Sequence, residues 1–298
     1  MVKVSHQKLM KNIEQLGERY CVEHLSRWDK SQLKDDWWEA LKFFFYHSFM
    51  RGRRDKLSNE YCSFTITVLQ EYFSIDPKTL DDSYRSFKQT KKFYDKDIIL
   101  DFKKRQSLGR KNSIKHLEFK KEVASKNPII STLVTPRKIP IEWDNDVYMK
   151  KIFLGNEEDI MMVLDVLKLI SQDNNKKNIY NYFKEVIQRV GLRGAWRELK
   201  QIRAIADKIA ALIIRDIGLM NAGLITGDYK YAFPIDTWVK RISRKLGYDT
   251  ENPDGVKDTL ISKCKECRIE PLVFAAGLWF LGFHSLNVAL ECLDKTKL

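Results

Sequence analysis

A chain of 298 residues, 44% of them hydrophobic, can bury the core of one large domain or two modest ones, which excludes global disorder. Lys and Arg outnumber Asp and Glu by 53 to 40, and the net charge of +13 points to polyanionic partners, nucleic acid first and an anionic membrane face second. No apolar run reaches the length that spans a bilayer, so no membrane partner is expected. The opening Met1-Val-Lys-Val-Ser-His-Gln7 has no apolar signal region, and the expected location is cytoplasmic and nucleoid-associated, or nuclear. Five cysteines, an odd number spread along the chain, do not make a disulfide framework. Cys264 and Cys267 form a C-x-x-C pair that is incidental on this reading, with a zinc site of Cys264, Cys267, His284 and Cys292 left open.

Glycine and proline are scarce, and most of the chain follows the helical period. The first third reads as amphipathic helices. Trp37, Trp38, Leu41, Phe44 and Phe45 recur at three and four residues and form an aromatic face suited to core packing. The run from Arg51 to Lys56 is a solvated helix cap or a phosphate contact. Residues 91–126 are strongly basic and suit a helix with one cationic face, either plain surface or a nucleic-acid face. Pro128, Pro136 and Pro140 break the helical period, so 127–143 is expected to be an extended connector. Helical period returns at 157–171 through Ile160, Val163, Leu164, Leu167 and Ile170. It returns again at 178–190, where Gly191 stands as a C-terminal glycine.

Residues 196–217 suggest two short helices with a tight connection, the second beginning near Ala206. Its apolar stripe is Ile205, Ile209, Leu212, Ile213 and Ile217. Lys208 lies in its first turn at the flank of that stripe. A cation is disfavoured at a helix N-terminus and beside apolar residues, which suits either a nucleophilic neutral amine or an ordinary snorkelling lysine. Further on, Pro234 ends a loop, and Asp236 or Thr237 caps a helix closed by Gly247. Trp238, Val239, Ile242 and Leu246 form the apolar side of this helix, and Lys240, Arg241, Arg244 and Lys245 crowd the other.

Together the two segments resemble the helix-hairpin-helix DNA glycosylase superfamily, the group of endonuclease III and the archaeal 8-oxoguanine glycosylases. Ile202-Arg-Ala-Ile-Ala-Asp-Lys208 stands where that family carries its hairpin and catalytic lysine. Ile235-Asp-Thr-Trp238, followed by Arg244-Lys-Leu-Gly247, stands where it carries its catalytic aspartate. The likeness covers roughly 160–290. Pro271 to Gly282 resembles the C-terminal helix of the archaeal subfamily, with Trp279 as the counterpart of a base-stacking tryptophan, and Asp36-Trp-Trp-Glu39 is loosely similar to its N-terminal region. The chain departs from the pattern in four ways. Ala204 and Ala206 replace hairpin glycines, and Asn221 to Asp228 lengthens the interval between lysine and aspartate. The four-cysteine cluster of endonuclease III is missing, and Ala275 stands where an acidic base-reading residue is expected.

The resemblance implies an all-α fold of two helical lobes with a helix-hairpin-helix element and a DNA-binding cleft between them. The expected lobes are 1–55 with 232–298, and 56–231. It implies a bifunctional glycosylase and abasic-site lyase, with Lys208 and Asp236 catalytic, Trp279 stacking on the base, and Arg203, Ala204, Ala206, Lys240, Arg241, Arg244 and Lys245 on DNA. The implied partner is double-stranded DNA with a damaged base, such as 8-oxoguanine, bound by a monomer without cofactor or metal. A non-catalytic DNA- or RNA-binding protein on the same framework is the alternative.

Overall fold

The structure is a computed structural model, and it describes residues 6–51, 55–73, 128–143, 146–172, 176–248 and 252–295. The basic stretch at 91–126 lies outside them, as do residues 52–54 of the run from Arg51 to Lys56. The described elements are α1 (His6–Tyr20), a π turn (Cys21–Leu25), α2 (Lys30–Asp35), α3 (Trp37–Ser48), α4 (Asp55–Phe73) and α5 (Pro128–Val134). Next come β1 (Arg137–Trp143), β2 (Asp146–Ile152), α6 (Glu157–Gln172), α7 (Ile179–Leu199) and α8 (Asp207–Met220). A 3₁₀ turn (Tyr229–Ala232), α9 (Thr237–Lys245), α10 (Pro253–Cys267) and α11 (Pro271–Lys295) complete the order. The fold is mostly helical, as expected, and its one described sheet is a two-stranded antiparallel ribbon pairing Arg137 with Ile152 and Trp143 with Asp146.

The chain divides into two compact units, Met1–Lys30 with Phe183–Lys200 and Ala206–Leu298, and Ser31–Tyr182 with Gln201–Ile205. These bounds differ from the expected 1–55 with 232–298 and 56–231. The helix that carries Lys208 belongs with the terminal segments.

In the second unit the aromatic face of α3 is core: Trp37, Trp38, Leu41, Phe44 and Phe45 are all buried. Asp36 starts the helix by accepting from the Trp38 N–H at 2.7 Å. The extended connector expected at 127–143 is instead a short helix followed by a strand. Pro128 begins α5, the place where its missing N–H costs nothing. Pro140 sits in β1, which a two-stranded ribbon tolerates because each strand has an outer edge needing no donor. The ribbon is anchored on α4 by Glu60, which is almost wholly buried and accepts from Tyr148 Oη at 2.7 Å and from Lys150.

In the first unit, α1 and α11 cross with their backbones in contact. A methyl group added to Gly17 would run into the Val273 carbonyl, and one added to Gly277 into the Ile13 carbonyl, so only glycine fits at either point. Around this crossing, Met10, Ile13, Phe233, Val239, Ile242, Leu260, Phe274 and Leu278 form one buried cluster. At roughly 25 cal/mol per Å², each fully buried aliphatic side chain contributes about 1.5–3 kcal/mol, so this cluster is the main hold on both chain ends.

Candidate functional site

Of the two helices expected over 196–217, the first is the end of α7, which stops at Leu199, and the second is α8, which begins at Asp207. Asn178 caps α7, its Oδ1 accepting from Asn181 N–H at 3.0 Å. Gly191 (φ 73°, ψ 178°) breaks α7 into two helical pieces, as its position suggested. The connection after Leu199 contains Ala204 at φ 64°, in the left-handed region that glycine occupies without strain. Ile205 N–H donates to the Ile202 carbonyl at 3.2 Å, closing the turn. Ala206 is the N-cap of α8 and supplies no side-chain acceptor, so the first N–H groups of that helix have no cap from it. Lys200 reaches Asp207 at 2.6 Å and lies over the Trp196 ring at 4.0 Å.

Helix α8 is buried on nearly every side from Ile209 to Gly218, beyond the single stripe expected from the sequence. Lys208 is half-buried in its first turn. Asp236, rather than Thr237, caps α9, accepting from Val239 N–H at 2.8 Å. Val239, Ile242 and Leu246 are buried, while Arg241, Arg244 and Lys245 are exposed and Lys240 half-buried. Arg241 stacks over Trp238 at 5.4 Å. Arg203 is engaged elsewhere: its guanidinium pairs with Glu158 at 3.1 Å and its N–H with Asp165 at 2.9 Å.

Trp279 is half-buried on α11. Its ring meets Tyr20 edge-on at 5.4 Å and His24 edge-on at 5.5 Å. Beneath Tyr20 lies a network that the sequence did not reveal. Tyr20 Oη donates to Asp216 Oδ2 at 2.6 Å, and Arg215 Nε donates to Asp216 Oδ1 at 2.7 Å. Arg215 and Asp216 are completely buried, and Arg215 also lies over the Tyr20 ring at 4.7 Å. Burial works against the Arg215 charge, but Asp216 overrides it and holds the guanidinium protonated. Two adjacent charged residues in an apolar helix were the visible signal, because burying them requires partners. The partner Tyr20, near the other end of the chain, gave none.

These contacts order the site. Helix α9 packs on α11, where the Trp238 side chain lies against Gly282, one turn from Trp279. On the other side, Tyr20 ties Trp279 to the middle of α8 through Asp216. Arg215 falls seven residues after Lys208, on nearly the same face and about 10 Å along the axis. The helix that carries Trp279 therefore packs on both helices that carry the expected catalytic pair, and Trp279 itself reaches α8 through Tyr20. A separate cavity of about 300 Å³ is lined by Arg193, Trp196, Asp207, Tyr231 and Lys257 among others, but not by Lys208, Asp236 or Trp279.

Among the described residues, the one group whose metal-ligating atoms converge is Glu23, His24 and His284. It includes neither Cys264 nor Cys267, which are buried in the core around α10; Cys292, the remaining member of the site left open by the sequence, lies outside the described side chains. Burial, with Cys267 alongside, pushes the Cys264 thiol up. Burial, then Arg27 and His284, push His24 down to about 4, leaving its imidazole neutral near pH 7. Ala275 is buried in the core cluster, where an acidic side chain would be costly, so that position reads no base.

Comparison of the chain with protein-family models, with curated proteins and with solved structures finds no match. Among the described residues, no helix is long and apolar enough to cross a membrane.

Proposed function

We propose that the chain is a DNA glycosylase with abasic-site lyase activity, acting as a monomer on duplex DNA that carries a damaged base, with an oxidised purine such as 8-oxoguanine as the substrate class. The observation that carries the reading is the turn ahead of α8. Ala204 holds a left-handed conformation, the helix begins three residues later, and Lys208 is its second residue. A left-handed residue at this point supports comparison with the glycine-containing turn of that family, although alanine stands here. Ala206 brings no side-chain cap to this helix start, which suits a DNA phosphate there.

In this reading the fold is of the two-lobed helical kind whose members bind DNA in a cleft. The damaged nucleotide rotates out of the duplex, at a cost of a few kcal/mol, and its base stacks on Trp279. The Asp236 carboxylate balances positive charge developing on the sugar. Lys208, as a neutral amine, attacks C1′; the C1′–N bond breaks, and the base leaves with its electron pair and takes up a proton. The C1′–O4′ bond then opens, with O4′ taking up a proton, to give a Schiff base that permits elimination of the 3′ phosphate and nicks the strand. Lys240, Arg241, Arg244 and Lys245 neutralise phosphates.

The test uses duplexes that each hold one lesion, with excised base and strand nicking read separately. Excision from one or more of them is expected, with nicking abolished in Lys208→Gln and excision lost in Asp236→Asn while DNA binding persists. Asparagine keeps an oxygen to cap α9 but cannot balance a cation. Binding without excision from any lesion would instead establish the non-catalytic DNA-binding alternative.

A further inference from the structure

The cluster at Glu23, His24 and His284 borders the proposed stacking residue, since His24 meets Trp279 edge-on at 5.5 Å, but the inference drawn from it does not depend on the chemistry proposed above. Two imidazoles 260 positions apart in the chain meet there with Nε2 atoms 3.5 Å from each other. Their meeting follows from the glycine crossing of α1 and α11, which fixes how both helices run on toward His24 and His284. We propose that Glu23, His24 and His284 bind a divalent ion of the zinc type, the histidines through Nε2, with water completing a four-coordinate shell.

The first argument is the separation of the two nitrogens. Tetrahedral zinc at 2.0–2.1 Å from each nitrogen spaces its ligand atoms by about 3.3–3.4 Å, the edge of the tetrahedron. An octahedral shell with the same bonds spaces them by about 2.9 Å. A direct imidazole hydrogen bond would draw them to roughly 2.7–3.2 Å. The observed 3.5 Å lies nearest the tetrahedral edge. The ligand atoms of all three residues lie within 4.8 Å of one another, and Glu23 is exposed and long enough to close the remaining gap. Its present partner is Arg19 at 2.8 Å, an exposed pair worth about 0–1 kcal/mol and readily exchanged for a cation.

The backbone supports the same arrangement. Cys21–Leu25 is a π turn, in which Ser26 N–H donates to the Cys21 carbonyl at 3.1 Å. Its wider winding reduces the angle between consecutive side chains, so Glu23 and His24 can serve one ion where an ordinary helix would splay them. Single π turns concentrate at functional sites. Two imidazoles and a carboxylate suit zinc and its transition-metal neighbours, not the all-oxygen shells of calcium or magnesium.

One contact opposes metal and gives the proposal its sharpest test. Arg27 Nη2 lies 3.4 Å from His24 Nδ1. A guanidinium only donates, whereas His24 bound to metal through Nε2 must carry its proton on Nδ1. The exposed Arg27 therefore has to swing away on binding. In Arg27→Gln, the amide oxygen can accept from Nδ1–H and removes that conflict.

The experiment titrates the full chain, stripped by chelation, with Zn(II) by calorimetry and with Co(II) by visible absorption. One equivalent of zinc and the intense bands of four-coordinate cobalt are expected. His284→Gln, on an exposed position, should weaken zinc by at least about 100-fold, and Arg27→Gln should tighten it by about 10-fold. Circular dichroism establishes that each variant is folded. Absence of stoichiometric binding, or binding that His284→Gln leaves unchanged, overturns the proposal. Excision assays run in chelator keep this result separate from the glycosylase reading.

Discussion

Ala204 is the residue on which local strain and proposed function meet. An L-residue with a Cβ in the left-handed region carries about 1–2 kcal/mol of steric cost, and glycine carries none. Glycine has more unfolded-state freedom to lose, about 0.4–1 kcal/mol. Ala204→Gly is therefore expected to stabilise the protein by about 0.5–1 kcal/mol, read from the midpoint of urea unfolding. A destabilised variant would mean that the Cβ makes a contact worth more than the strain. The turns and helix starts that carry Lys208 and Asp236 were legible in the sequence, whereas the catalytic roles proposed for them come from the resemblance, since position alone suits a snorkelling lysine and a capping aspartate. Asp236 was seen as one of two candidate caps, and the N–H of Val239 decides for it. Tyr20, Asp216 and His24 were not legible, since their roles arise from partners up to 260 residues away.

At the scale of elements, period and punctuation placed α6, the break at Gly191, α8 and α9 within a few residues. The ribbon of β1 and β2 was missed because Pro136 and Pro140 read as breakers, and because alternation over seven residues is weak beside so much helical sequence. The α1–α11 crossing was missed for a different reason: glycines inside helices look like defects until a second backbone lies against them. Gly277→Ala forces a methyl group into the Ile13 backbone, which no rotamer relieves, and should cost about 3 kcal/mol or more in urea unfolding. Gly255→Ala is the internal control. Its new methyl would meet nothing closer than 3.8 Å, and the gain in helix propensity should leave stability unchanged or raised by up to about 1 kcal/mol. Equal effects at the two positions would contradict the close crossing. Because the same crossing sets Tyr20 and His24 beside Trp279, Gly277→Ala bears on the stacking wall as well as on stability.

For the whole molecule, a net charge of +13 pointed to a polyanion before any motif was found. The exposed cations of α9 follow the cap at Asp236 on the same element, while Lys208 lies on α8. The division into units was the least legible feature, because it depends on long-range packing: α8 joins the chain ends, while Gln201–Ile205 belongs with the other unit. The central claim is that Lys208 forms a covalent bond to C1′ of a damaged nucleotide. The direct measurement is borohydride reduction of the full chain on a lesion-bearing duplex that it cleaves, followed by mass spectrometry of the cross-linked peptide. The account predicts one adduct, on the peptide and side chain of Lys208, absent from Lys208→Gln. An adduct mapped to another amine such as Lys240, or cleavage that proceeds with no trapped adduct, would contradict it.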